Sequence, residues 1–103
     1  MDNRTSVRIS VDLDSEIRTG DRVFKGTVLN CSLSGLFLRT NEKVSDGDLL
    51  DIRIFLPGIA DPVTATSRVI WTDWNEKNTP GFGIHFLSLT DDQAQILRVF
   101  LYD

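Results

Sequence analysis

Apolar and polar side chains alternate with a period of two along much of the first 86 residues. From Ile9 onward, Ile9, Val11, Leu13 and Ile17 fall on one side and Ser10, Asp12 and Asp14 on the other, the pattern of a half-buried strand. Thr19-Gly20-Asp21 interrupts it with turn-forming residues, and a second strand is predicted over residues 23–29. A third, short and apolar, covers residues 36–39, and a polar connection over 41–48 ends in the turn signal Ser45-Asp46-Gly47-Asp48. Leu50, Ile52, Ile54 and Leu56 then alternate with Asp51, Arg53 and Phe55 until Pro57-Gly58 stops the run. Asp61-Pro62 marks a bend before a fifth strand at 63–71. After a polar loop at 75–80, a sixth strand at 81–86 places Phe82, Ile84 and Phe86 opposite Gly83 and His85.

The period changes at Thr90. Thr90-Asp91-Asp92-Gln93 reads as a capping box, in which hydroxyl and amide satisfy the free N–H groups of a helix start, and the two aspartates suit the positive end of the helix dipole. Ala94, Leu97, Phe100 and Leu101 recur at helical spacing, so a helix of about three turns is predicted over 90–102. Six strands followed by one helix predict an all-β fold with one helix, a six-stranded antiparallel barrel whose helix covers an opening or an edge. A two-sheet sandwich is the alternative that the pattern leaves open. We expect one domain over 1–103, with an arm at 1–8, the barrel at 9–86 and the helix at 90–102.

A chain of 103 residues with 41% hydrophobic and 25% charged side chains is long enough to bury its own core. No run of about 18 apolar residues suggests a membrane span, and Met1-Asp2-Asn3-Arg4 does not open a signal peptide. One cysteine, Cys31, excludes an internal disulfide and fits a reducing, cytoplasmic setting. The net charge of −4 argues against a nucleic acid polymer as partner, since such binding needs many Lys and Arg on phosphates. The charge is uneven. Residues 1–41 carry six basic and five acidic side chains, whereas 42–103 carry five and ten, so a small anion is drawn to the N-terminal part.

Catalytic signals are sparse. His85, the one histidine, is read as a structural strand residue, and with one Cys and one His there is no zinc ligand set. No Ser–His–acid or Cys–His arrangement, phosphate-binding loop or dinucleotide fingerprint occurs, so a binding module is expected rather than an enzyme, with no catalytic residue, cofactor or metal. Trp71 and Trp74, three apart, are expected on opposite sides, one in the core and one exposed.

Two constellations remain. Arg4-Thr5-Ser6-Val7-Arg8 puts two guanidinium groups on one side of an extended arm, with alpha carbons roughly 13 Å apart. Arginine pairs bidentately with phosphate, reaches guanine edges and stacks on bases. Arg18 and Arg22 have the same spacing but straddle a turn, so that pair reads as a solvated hairpin end, and a solvated arm is the bland reading of Arg4 and Arg8 too. The second constellation is Asn30-x-Ser32-x-x-Gly35, between the second and third strands. Asn30 offers an acceptor and a donor to a base edge, Ser32 a hydroxyl, and Gly35 close approach to the backbone; alternatively, Asn30 and Ser32 bond their own backbone in a turn.

Together, an R-x-x-x-R arm before the first strand and [D/N]-x-S-x-x-G after the second resemble the PilZ domain family. Gly35-Leu36-Phe37-Leu38, Leu56-Pro57-Gly58, Arg68-Val69-Ile70-Trp71, Gly83-Ile84-His85-Phe86 and the terminal helix extend the resemblance over nearly the whole chain. It implies a six-stranded barrel and binding of cyclic di-GMP, the bacterial second messenger. Arg4 and Arg8 would grip guanines and phosphates, with Asn30, Ser32 and Gly35 lining the barrel side. The family's aspartate position is Asn30 here, and Asn3 stands where many members have a further Arg, which favours one ligand per site. Ordering of the arm would then be read by an effector protein, making the chain an adaptor; a ligand-independent interaction module on the same barrel is the alternative.

Overall fold

A computed structural model describes residues 7–75 and 79–103. The elements are β1 (Ile9–Thr19), β2 (Arg22–Cys31), β3 (Gly35–Arg39), β4 (Leu49–Phe55), β5 (Val63–Asp73), β6 (Gly81–Ser88) and α1 (Asp91–Tyr102). The strands close into a barrel in the order β1, β2, β3, β6, β5, β4, every neighbouring pair antiparallel, with β4 returning to β1. The barrel therefore replaces the sandwich alternative. Closure gives each strand a hydrogen-bonded neighbour on both sides.

The alternation decides which side chains fill the interior. Leu13 and Ile17 of β1, Phe24 and Val28 of β2, Leu50, Ile52 and Ile54 of β4, and Phe82 and Ile84 of β6 are all buried. Each such side chain contributes about 1.5–3 kcal/mol relative to exposure. Gly20 makes the tight β1–β2 turn with φ +57°, a left-handed conformation that glycine adopts without steric cost. Ser15 also faces inward and is buried, because its hydroxyl donates to the Gly26 carbonyl at 2.8 Å.

Three details differ from the sequence expectations. First, β2 runs on through Asn30 and Cys31, past an irregularity between Val28 and Asn30, so only residues 32–34 connect β2 to β3. Second, the capping box is half formed. The Thr90 hydroxyl accepts from the Gln93 N–H at 3.3 Å, but the Gln93 side-chain oxygen accepts from the Thr64 N–H at 2.7 Å instead of turning back on its own helix. That bond ties the start of α1 to β5. Third, Leu97 and Leu101 are buried, whereas Phe100 is exposed, because the helix seats a narrow stripe on the barrel. Ile96, Val99 and Phe100 of the helix, with Pro57 and Ile59, line a shallow groove.

Candidate functional site

The β2–β3 connection is held by its own polar groups. The Ser32 N–H donates to the Gly35 carbonyl at 2.9 Å, and the Ser32 hydroxyl accepts from the Ser34 N–H at 3.1 Å and pairs with the Ser34 hydroxyl at 2.9 Å. Ser32 is fully buried, so its side chain is part of the turn's internal network. The Ser34 carbonyl accepts the Phe86 N–H at 2.8 Å, which fastens the turn to β6. Gly35 faces His85 across the β3–β6 ladder, where a Cβ would stand 2.1 Å from the Ile84 carbonyl oxygen. The position thus requires glycine for strand packing, whatever else the turn meets.

Cys31, at the end of β2, is buried. Burial pushes its thiol up to about 12, although the positive charge of Arg8 works in the opposite direction.

The arm enters over this turn. Arg8 donates from Nη1 to Oδ1 of Asn30 at 2.9 Å, so one residue from each constellation meets on the outer surface. The preceding carbonyl, that of Val7, accepts from the Tyr102 hydroxyl at 2.7 Å. Burial raises the Tyr102 hydroxyl pKa, with the nearby Cys31 thiol adding to the effect and a hydrogen bond with the Leu33 backbone opposing it. Two consecutive arm residues are therefore anchored, one by the last turn of α1 and one by β2. Arg4 lies outside the described residues.

Register brings further residues alongside. Asn30 pairs with Phe37, Phe37 with Gly83, and Gly83 with Trp71, forming one row across β2, β3, β6 and β5. At about 4.8 Å per strand, the row is roughly 14 Å long. The Phe37 and Trp71 rings stack with centroids 5.2 Å apart and planes 12° from parallel. They meet because Gly83 lies between them: a Cβ there would stand 2.4 Å from Trp71 Nε1. Trp71 is 44% exposed, while Trp74 packs against the core with its ring 6.3 Å from that of Phe82, so the expected split between the two tryptophans is resolved.

A guanidinium, a side-chain amide and a flat aromatic pair in line offer hydrogen bonds, positive charge and a stacking surface. That set suits a planar, polar, anionic ring compound. Phe37 and Gly83 could not be assigned to the site from sequence alone, because their signal is a cross-strand register that no local motif encodes. Among the described residues no group of three or more His, Cys, Asp or Glu could hold a metal ion, and no helix is long and apolar enough to cross a membrane.

The architecture defines a small antiparallel β-barrel domain with a C-terminal helix. The PilZ domain family matches residues 2–103, and the chain belongs to that family. Its fold is similar to that of the Bacillus subtilis inhibitor of motility MotI/DgrA, with a TM-score of 0.75 and 19% identity over 88% of this chain and 46% of that one. It is also similar to the PilZ domain of CeSA from a cellulose-synthesizing bacterium, with a TM-score of 0.67 and 19% identity over 91% of this chain and 94% of that one. The chain thus spans less than half the length of the MotI/DgrA structure. No curated protein matches the sequence significantly.

Proposed function

We propose that this domain binds cyclic di-GMP between the arm and the outer face of β2 and β3, and that a partner protein reads the ligand-bound surface. The observation that carries the reading is the 2.9 Å bond from Arg8 to Asn30, which joins the two halves of the family's motif. Arg4 and Arg8 supply charge and donors to the phosphates and guanines. Asn30 reads a base edge while orienting Arg8. Ser32 and Gly35 act through shape: the hydroxyl holds the turn and the glycine lets β3 and β6 close beneath it. The stacked Phe37 and Trp71 rings offer a surface on which a guanine lies flat, a contact worth about 1–3 kcal/mol by analogy with base stacking on aromatic side chains elsewhere.

Neither acid–base nor nucleophilic chemistry is assigned to these residues; the domain is a binding module. The two structural neighbours carry names tied to motility and to cellulose synthesis. Control of a partner in the bacterial cytoplasm, with the barrel as adaptor, follows the same pattern. Isothermal titration with cyclic di-GMP tests the reading. We expect one ligand per chain, in keeping with Asn3 at the position before the arm motif. Absence of heat and of any change in Trp71 fluorescence at high micromolar ligand would refute it. A partner captured equally with and without ligand would favour the ligand-independent module instead.

A further inference from the structure

A second row lies beside the one that holds Phe37 and Trp71. Arg8 precedes Ile9, which pairs with Cys31, so the arm leaves the barrel at the level of Ser32. Ser32 bonds to Gly35, Gly35 pairs with His85, and His85 pairs with Arg68. His85 and Arg68 are exposed on the outer face. His85 stands two positions from Gly83, about 7 Å along the strand, and Arg68 three positions from Trp71, at most about 10 Å across the irregularity between Val69 and Trp71. One row therefore carries stacked rings and an amide. The parallel row, nearer the turn, carries Gly35, His85 and Arg68; the Arg8 backbone enters at its β2 end, with the guanidinium turned onto Asn30 of the first row.

Arg68 differs from the other described strand arginines in its surroundings. Arg18 faces Asp51 across the β1–β4 ladder, and Arg53 pairs with Glu16 at 3.4 Å. Arg22 lies over the Phe24 ring and donates to the Lys43 carbonyl. Arg39 shares a groove with Asp14, Glu16 and Glu42. The cross-strand neighbours of Arg68 are His85 on one side and Leu49 on the other, and neither provides a carboxylate. In a chain with fifteen acidic side chains against eleven Lys and Arg, this guanidinium has no ion-pair partner among the described residues. An imidazole directly opposite it can add a ring N–H donor toward an anion above the two.

We propose that Arg68 and His85 extend the ligand site across β6 and β5 and take a phosphodiester of the cyclic dinucleotide at the far end from Arg8. The inference rests on the cyclic di-GMP reading above and deepens it. A cyclic dinucleotide has two phosphodiesters, each with one negative charge; the Arg8 guanidinium, on Asn30 of β2, and Arg68, on β5, stand at opposite ends of the two adjoining rows. Guanidinium groups suit both through paired N–H donors. The sugar–phosphate ring spans the strands between them, while a guanine rests on the neighbouring aromatic row.

The test is isothermal titration with cyclic di-GMP of the wild type, Arg8→Ala, Arg68→Ala, Arg68→Gln, Arg68→Lys, His85→Ala and Arg98→Ala, each checked by thermal melting. Arg68→Ala and Arg68→Gln are expected to weaken binding about tenfold, the loss of one charge-assisted contact. Arg68→Lys, which keeps the charge, should recover most of that loss. His85→Ala should cost about threefold, and Arg98→Ala, on the helix, should bind as the wild type does. If Arg68→Ala fails to fold, Arg68→Gln gives the answer. Wild-type affinity in Arg68→Ala and Arg68→Gln alongside loss of binding in Arg8→Ala would overturn this extension and leave the messenger reading standing. No binding by the wild type would overturn both.

Discussion

Arg8 and Asn30, 22 positions apart in the chain, are joined by a 2.9 Å hydrogen bond from guanidinium to side-chain amide oxygen. Because the bond is exposed, its main consequence lies in where it places the arginine, and only secondarily in fold stability. Arg8→Ala should reduce cyclic di-GMP affinity at least a hundredfold in titration. Its melting temperature should move by less than about 4 °C, as for a surface change of about 0.5 kcal/mol. Asn30→Asp should keep the arm in place, since a carboxylate accepts from Arg8 more strongly than an amide does, and binding should stay within about tenfold of the wild type.

Two glycines separate the scaffold from the stacking surface. At Gly35 an added Cβ would collide with the Ile84 carbonyl oxygen, a backbone atom held in the ladder. Gly35→Ala should therefore cost about 3 kcal/mol in urea unfolding, at the upper end for overpacking. At Gly83 the Cβ would meet the side chain of Trp71, which can swing away. Gly83→Ala should cost only about 1 kcal/mol, unstack Trp71 from Phe37, shift tryptophan emission and weaken ligand binding.

The Cys31 thiol, pushed up from 9.0 to about 12 by burial, links stability to alkaline pH. Between those values the folded chain keeps the proton that the unfolded chain releases. Its contribution is therefore complete below about pH 9 and is lost as the pH rises toward 12. Urea midpoints should fall over that interval in the wild type and fall less in Cys31→Ala. At pH 8 the folded protein should resist thiol alkylation that the urea-unfolded protein undergoes readily.

Tyr102 ends α1 with its hydroxyl on the Val7 carbonyl at 2.7 Å. Tyr102→Phe removes that donor and should cost about 1 kcal/mol. It should also release the arm base, so that trypsin cuts after Arg8 faster than in the wild type. Saturating cyclic di-GMP should slow the cut in both proteins. Equal cleavage of the two proteins without ligand would show that the hydroxyl does not restrain the arm.

Much of the fold was legible because each strand carries its own burial code. Leu50, Ile52 and Ile54 point inward and Asp51, Arg53 and Phe55 outward, as their alternation demands. Local patterning failed where a partner from elsewhere competed. Gln93 has the right spacing to close its own capping box but bonds to Thr64. Phe100 has helical spacing but lies outside the narrow stripe that the barrel covers. Asn30 looks like a turn residue but completes a strand, because Phe37 is there to pair with it.

The site divides in the same way. By itself the sequence determined six strands, a terminal helix, the arm motif and the Asn-x-Ser-x-x-Gly motif, because period, turn chemistry and spacing are local properties of the chain. Only the tertiary structure decided that Arg8 reaches Asn30 and that Phe37, Gly83 and Trp71 form one row. Those relationships depend on barrel closure and strand register, which set neighbours tens of residues apart. A one-residue slip would turn every one of these side chains to the opposite face.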